Sequence, residues 1–76
     1  FNLSDSYFLD CIFESTNFSN SNLVSSIFDG SDFENATFDE KTDIMKADFS
    51  KTKNLDEGIK KAQGDDETKL PDHIKT

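Results

Sequence analysis

Lysine and arginine are missing from the first forty residues, which carry eight acidic side chains. All eight cations are lysines in residues 41–76, where eight acids balance them, so the net charge of −8 resides in the first half. Such a surface offers no basic patch for phosphates, which argues against nucleic acid as a direct ligand. The single cysteine, Cys11, excludes an internal disulfide framework and a thiolate zinc site. There is no long apolar run, so no membrane partner or span is expected. No basic start leads into an apolar stretch, which sets the expectation of a cytoplasmic protein, and Phe1 in place of Met reads as a processed form. Seventy-six residues suffice for one small domain at most.

Ser, Asn, Asp and Phe dominate the first half, and polar, acidic stretches of that kind are generally disordered. The placement of the large apolar residues argues otherwise. Leu3, Phe8, Phe13, Phe18, Leu23, Phe28, Phe33 and Phe38 lie five residues apart without a gap. Two residues before each stand Phe1, Ser6, Cys11, Thr16, Ser21, Ser26, Ser31 and Ala36, all small but the first. Two residues after each stand Asp5, Asp10, Ser15, Asn20, Ser25, Gly30, Asn35 and Glu40, all turn formers but the last.

Neither regular element accommodates this period. On a helix, five residues advance about 500°, and the rings spiral around the axis without forming a face. On a straight strand an odd period sends successive rings to opposite sides. The pattern is satisfied when each unit is short, extended and then bent, with the small residue and the large one pointing inward. A chain that turns the same way at every corner coils around its own core as a solenoid.

Thr16-Asn17-Phe18-Ser19-Asn20, Ser31-Asp32-Phe33-Glu34-Asn35, Ala36-Thr37-Phe38 and Ala47-Asp48-Phe49-Ser50 resemble the repeats of pentapeptide-repeat proteins. Their motif is a small residue, Asp or Asn, Leu or Phe, then two variable residues. The resemblance covers residues 1–50 and implies an all-β fold, a right-handed quadrilateral β-helix with four units per coil. Residues twenty apart then stack on one face. After Phe38 the register slips by one, and the next centres are Ile44, with Thr42, and Phe49, with Ala47. One extra residue near Glu40-Lys41 reads as a corner bulge. The expectation is about ten repeats, or two and a half coils, of about 12 Å height at ~4.8 Å per stacked strand.

The remainder, residues 51–76, reads as a cap and tail. Leu55, Ile59 and Ala62 have helical spacing, with Asn54 as N-cap and Gly64 past the end, so a short helix over 55–62 is expected. Its apolar side covers the last coil, and Leu70 tucks beneath it. No such cap precedes Leu3, which leaves the first coil's edge open to another chain and sets the expectation of an end-to-end dimer.

No catalytic residues and no cofactor are expected. Cys11 falls in the small interior column and reads as a structural thiol. His73, the only histidine, reads as a solvated tail residue. Asp29-Gly30-Ser31-Asp32 and Gly64-Asp65-Asp66-Glu67 lack the spacing of a calcium loop. The triplets at Asn2, Asn17 and Asn35 that match the glycosylation sequon are generated by the repeat itself. What remains is surface. One face presents Tyr7, Leu9, Ile27 and Asp29, and the next presents Ile12, Glu14, Asp32 and Glu34. The apolar group serves packing between coils or a partner-binding patch. Two functions are open: a non-catalytic protein-interaction or scaffold module, and an acidic mimic of duplex DNA. The resemblance carries the second, since some family members bind DNA gyrase that way.

Overall fold

The computed structural model describes residues 2–74. The column expectation for Phe1 therefore lies outside the described residues. Nine isolated parallel bridges organise the described residues. Asn2, Tyr7, Ile12 and Asn17 bridge to Asn22, Ile27, Asp32 and Thr37, each partner twenty residues on. Asn22, Ile27 and Asp32 bridge in turn to Asp43, Asp48 and Lys53, now twenty-one residues on. Asp43 bridges to Gln63, and Asp48 to Lys69. The chain thus passes over itself in circuits that begin at Asn2, Asn22, Asp43 and Gln63. No strand longer than a bridge occurs among the described residues.

The five-residue unit explains why. Each unit gives one residue to a bridge, turns the next side chain inward and then bends. The amide of the small residue donates back three positions, as in Thr16 to Phe13, Ser31 to Phe28 and Ala36 to Phe33, at 3.0–3.1 Å. The residue before the small one has positive φ at Asp5, Asp10, Ser15, Asn20, Ser25, Gly30, Asn35 and Lys46. An i to i+3 bond with positive φ at the third position is the type II turn. Asp, Asn and Ser reach that left-handed region more readily than other side chains. Gly30, at φ 74°, has a further reason: a Cβ there would stand 2.0 Å from the Asp10 Oδ1 carboxylate oxygen.

Inside, the large residues stack in columns. Phe8, Phe28 and Phe49 lie nearly parallel, with centroids 5.2 and 4.8 Å apart. Phe13 stacks on Phe33 at 5.1 Å, and Phe18 on Phe38 at 5.3 Å. Neighbouring columns meet edge to face, as Phe28 and Phe33 do at 5.3 Å and 76°. Both arrangements suit the ring quadrupole. Phe18, Leu23, Phe28, Phe33, Phe38, Ile44 and Phe49 are buried, while Leu3, Phe8 and Phe13, in the first circuit, are half-buried against them.

The small column does more than leave room. The hydroxyl of Ser26 donates to the Leu3 carbonyl, Ser31 to Phe8 at 3.1 Å, Thr42 to Phe18 at 2.6 Å and Thr68 to Ile44 at 2.9 Å. Each ties one circuit to the previous one from within the core, where an unmade hydrogen bond is costly.

Two expectations are corrected. The stack does not stop at two and a half coils near residue 50: Lys53, Gln63 and Lys69 all bridge to earlier circuits. The later units hide this because Leu55, Gly64 and Leu70 replace the Phe signal. The helix is not an α-helix over 55–62 but a five-residue 3-10 helix, Glu57–Lys61, with Asp56 as N-cap. Asn54 instead sits at φ 59°. Only nine residues separate the bridged Lys53 from the bridged Gln63, so one tight turn fits where a two-turn helix does not. Ile59, Leu55 and Ile74 join the buried cluster at this end, and Leu70 packs against it half-buried.

Candidate functional surface

At the bridged position the fold has a use for Asp or Asn. Asn17, Asn22, Asp32, Asp43 and Asp48 each accept, on Oδ1, the amide hydrogen of the residue two positions on, at 2.9–3.1 Å. Such bonds pin the first turn residue. Tyr7, Ile12 and Ile27 occupy the same position and forgo that bond. Tyr7 is 64% exposed, Ile12 78% and Ile27 38%, and Leu9 beside them is 60% exposed. Tyr7 bridges to Ile27, so the two share one face, and Ile12 lies on the next, bridged to Asp32. Of the apolar group named from the sequence, Tyr7, Leu9 and Ile12 thus lie in the first circuit and Ile27 in the second, spread over two adjacent faces. Met45, 39% exposed, is a further apolar residue that sequence reasoning missed.

The acidic group is not uniform. Glu14 and Glu34 are exposed and stacked, with the Ser15 amide donating to the Glu34 carbonyl at 2.8 Å. Asp32 is engaged: it accepts from Asn54 Nδ2 at 3.1 Å and from the Glu34 amide at 3.0 Å. The Asn54 amide and the Glu34 N–H hold its carboxyl below the usual carboxylate value against partial desolvation, with a lesser contribution from the nearby Lys53. The Asp29 Oδ1 oxygen is buried and has no hydrogen-bond partner.

Two corners escaped sequence reasoning as a pair. At regular corners the positive-φ residue donates to a carbonyl of the following circuit, as Ser15 does to Glu34 and Ser25 to Met45. At Asn20 and Lys46 a carboxylate accepts instead, Asp39 at 3.2 Å and Asp65 at 3.1 Å. Each of these acids also takes the amide two residues on, Lys41 for Asp39 and Glu67 for Asp65, and lies 3.1 Å from the hydroxyl three on, Thr42 or Thr68, sharing its one hydrogen with the inner carbonyl of Phe18 or Ile44. The shared signal is Asp-x-x-Thr, at Asp39-Glu40-Lys41-Thr42 and Asp65-Asp66-Glu67-Thr68. Partial desolvation raises both carboxyl pKa values, but the donated bonds outweigh it and the net shift is downward.

The remaining candidates are placed as follows. Cys11 is half-buried rather than fully enclosed, its thiol 3.7 Å from the Leu9 carbonyl. His73 is not merely solvated: its Nε2–H donates to the Leu55 carbonyl at 2.8 Å and ties the tail to the last circuit. No three His, Cys, Asp or Glu side chains come together as a metal site among the described residues. A cleft of about 290 Å³ is lined by Ile44, Ile59, Ala62, Leu70 and the Lys60, Asp65 and Thr68 side chains. It lies where Gly64 follows Gln63 as Ile44 follows Asp43, so the inward side chain of that unit is missing. Its polar groups are already occupied, Asp65 by the corner bonds and Lys60 by Glu57 at 3.7 Å. No helix among the described residues is long and apolar enough to cross a membrane.

Repeating turns, inward columns and an offset of one circuit define a repeat protein whose variable positions face outward. The chain belongs to the pentapeptide-repeat family: the model of pentapeptide repeats matches residues 2–39 in eight copies. Comparison with curated proteins gives no match. Comparison with solved structures gives none either.

Proposed function

We propose that this chain is a non-catalytic protein-interaction or scaffold module built on a right-handed quadrilateral β-helix. Family membership, parallel bridges about twenty residues apart and stacked Phe columns support the architecture. One observation carries the interaction reading. Tyr7 and Ile12 forgo a turn-capping bond that Asn or Asp makes at equivalent positions, and gain no burial in return. A side chain that costs the fold something and remains mostly exposed is best explained by a partner. Tyr7, Leu9, Ile12 and Ile27 form the contact, with Glu14, Asp32 and Glu34 as its acidic margin.

Capture from native-cell extract tests this, comparing the natural chain with a Tyr7→Ser, Leu9→Ser, Ile12→Ser variant. A protein retained by the first and lost by the second, at unchanged melting temperature, is the expected result. Identical retention by both would remove the basis for the proposal.

The DNA-mimic reading rests on the acidic first half. Its weakness is shape, since the molecule measures 26 × 22 × 20 Å and is no rod. At 3.4 Å per base pair its longest dimension spans about eight pairs. Gyrase supercoiling that is unaffected by the chain at micromolar concentration would end that reading.

A further inference from the structure

The flank of Tyr7, Leu9, Ile27 and Asp29 holds a charge that the fold leaves unanswered. Tyr7 bridges to Ile27, and the Asp10 amide donates to the Asp29 carbonyl at 2.9 Å, so Leu9 lies beside Asp29 of the next circuit. Ile27 is 38% exposed although it bridges on one side to Tyr7 and on the other to Asp48. A flank keeps its outward side chains whatever adjoins either end of the stack. The Asp29 side chain is half-buried within it. Its Oδ1 oxygen is enclosed without a hydrogen-bond partner, and an acceptor so placed is costly. The Asp10 carboxylate stands close by, filling the space over Gly30 where a Cβ would be. Neither acid forms an ion pair among the described residues.

One circuit on, the acid of the same flank is provided for. Asp48 accepts from the Ser50 amide and hydroxyl at 2.9 and 2.6 Å, and Lys69 is its bridge partner. Partial desolvation raises the Asp48 carboxyl pKa, but those bonds and the charges of Lys69 and Lys51 carry it net below its ordinary value. Around Asp10 and Asp29 the chain has no such supply, since residues 1–40 contain no cation. A group that completes this flank is therefore cationic, and it has apolar neighbours to meet Tyr7, Leu9 and Ile27. Two carboxylates close together suit the five-donor guanidinium fork better than the point charge of a lysine. The same flank of a second copy brings only further acids.

We propose that this flank is a docking surface for an arginine set among apolar residues on another protein. The guanidinium pairs with Asp29 and Asp10, and its apolar neighbours cover Tyr7, Leu9 and Ile27. This names a partner chemistry for the interaction module and rests on that reading.

The blocked peptide Ser-Leu-Arg-Ile-Ser is the probe, titrated into the natural chain and into an Asp10→Asn, Asp29→Asn variant, with amide shifts read by NMR. Both substitutions keep the size of the side chain, and asparagine tolerates the positive φ of position 10. The natural chain should show saturable shifts at Tyr7, Leu9, Ile27 and Asp29, and the variant should bind at least about tenfold more weakly. Lysine in place of the peptide's arginine should weaken binding, and equal binding would overturn the choice of arginine. Citrulline, its neutral isostere, tests the charge on the natural chain whatever the substitutions do to folding, and equal binding there would overturn the charge assignment. Shifts confined to Glu14 and Glu34, or an affinity unchanged in the variant, would overturn the placement at Asp29. The same shifts on concentrating the chain alone would make a second copy the occupant. No shift at millimolar peptide would overturn the docking surface, and the capture experiment with the serine variant would still decide the module.

Discussion

Replacing Phe28 by Ala removes a ring enclosed by four others. Phe28 is fully buried in the second circuit, with Phe8 and Phe49 stacked on its two faces at 5.2 and 4.8 Å. Phe13 and Phe33 meet it from the neighbouring column at 5.8 and 5.3 Å. Truncation forfeits the transfer free energy of the ring and leaves a cavity between two circuits that the hydrogen-bonded backbone holds apart. Such changes cost about 3–5 kcal/mol. At roughly 0.05–0.15 kcal/mol per residue, 76 residues have about 4–11 kcal/mol in all. The variant should therefore lose between about a quarter and all of its stability. Phe8→Ala is the internal control. That ring is half-buried and, among the described residues, is stacked on one face alone, by Phe28, so its truncation should cost about half as much or less. Urea unfolding followed by circular dichroism gives both numbers, and an unchanged m-value shows that only stability has moved. The reasoning fails if Phe28→Ala melts within about 0.5 kcal/mol of the natural chain, or if Phe8→Ala costs as much as Phe28→Ala.

Thr42→Val keeps the shape of a fully buried side chain but removes the bond to the Phe18 carbonyl, which should cost about 1–3 kcal/mol in thermal or urea unfolding. Asp39 and Asp65 have carboxyl pKa values lowered in the folded state, so their stabilisation is present above the ordinary value of 3.8 and is lost as pH falls through the folded value. Asp39→Asn and Asp65→Asn should each flatten the acid limb of the stability–pH curve below about pH 4, and an unaltered acid midpoint in the double variant would contradict the corner assignment. Glu14→Gln and Glu34→Gln should leave the melting temperature unchanged, whereas Asp32→Ala should lower it, because only Asp32 accepts bonds from Asn54 and Glu34. Gly30→Ala should cost about 1–3 kcal/mol from left-handed strain and contact with Asp10, with part recovered in an Asp10→Ala background.

The period of five made the inward columns legible, because no other local structure gives a large apolar residue at every fifth position a common side. The turn column was legible for the same reason, and the residues named from it, Asp5 to Asn35, all have positive φ. What the period hid was where it ends. Gly64 and Leu70 continue the lattice only because Gln63 and Lys69 bridge backward, and a bridge leaves no trace in side-chain size. Helical spacing at Leu55, Ile59 and Ala62 was real but ambiguous, since a 3-10 turn and an α-turn bury similar spacings, and the bridges on either side decide between them. The burial of Ile74 had no sequence signal, lying past Pro71 in a polar tail. The apolar surface group was visible as residues out of place. Its spread over two adjacent faces depends on the bridge register, which only coordinates supply.

The Asp-x-x-Thr corners bear on how such a chain changes over generations. Where Asp39 stands, one circuit grows from twenty residues to twenty-one, yet Leu23, Phe28 and Phe33 still find Ile44, Phe49 and the Lys53 backbone in register. The carboxylate occupies the place of a displaced carbonyl, so an in-frame insertion of one codon at a corner shifts everything downstream without scrambling what points inward. A β-sheet protein suffering the same insertion inside a strand turns its core outward. Circuits of this kind can therefore lengthen, shorten and be recombined at their corners, provided that the inserted loop brings its own acid and hydroxyl.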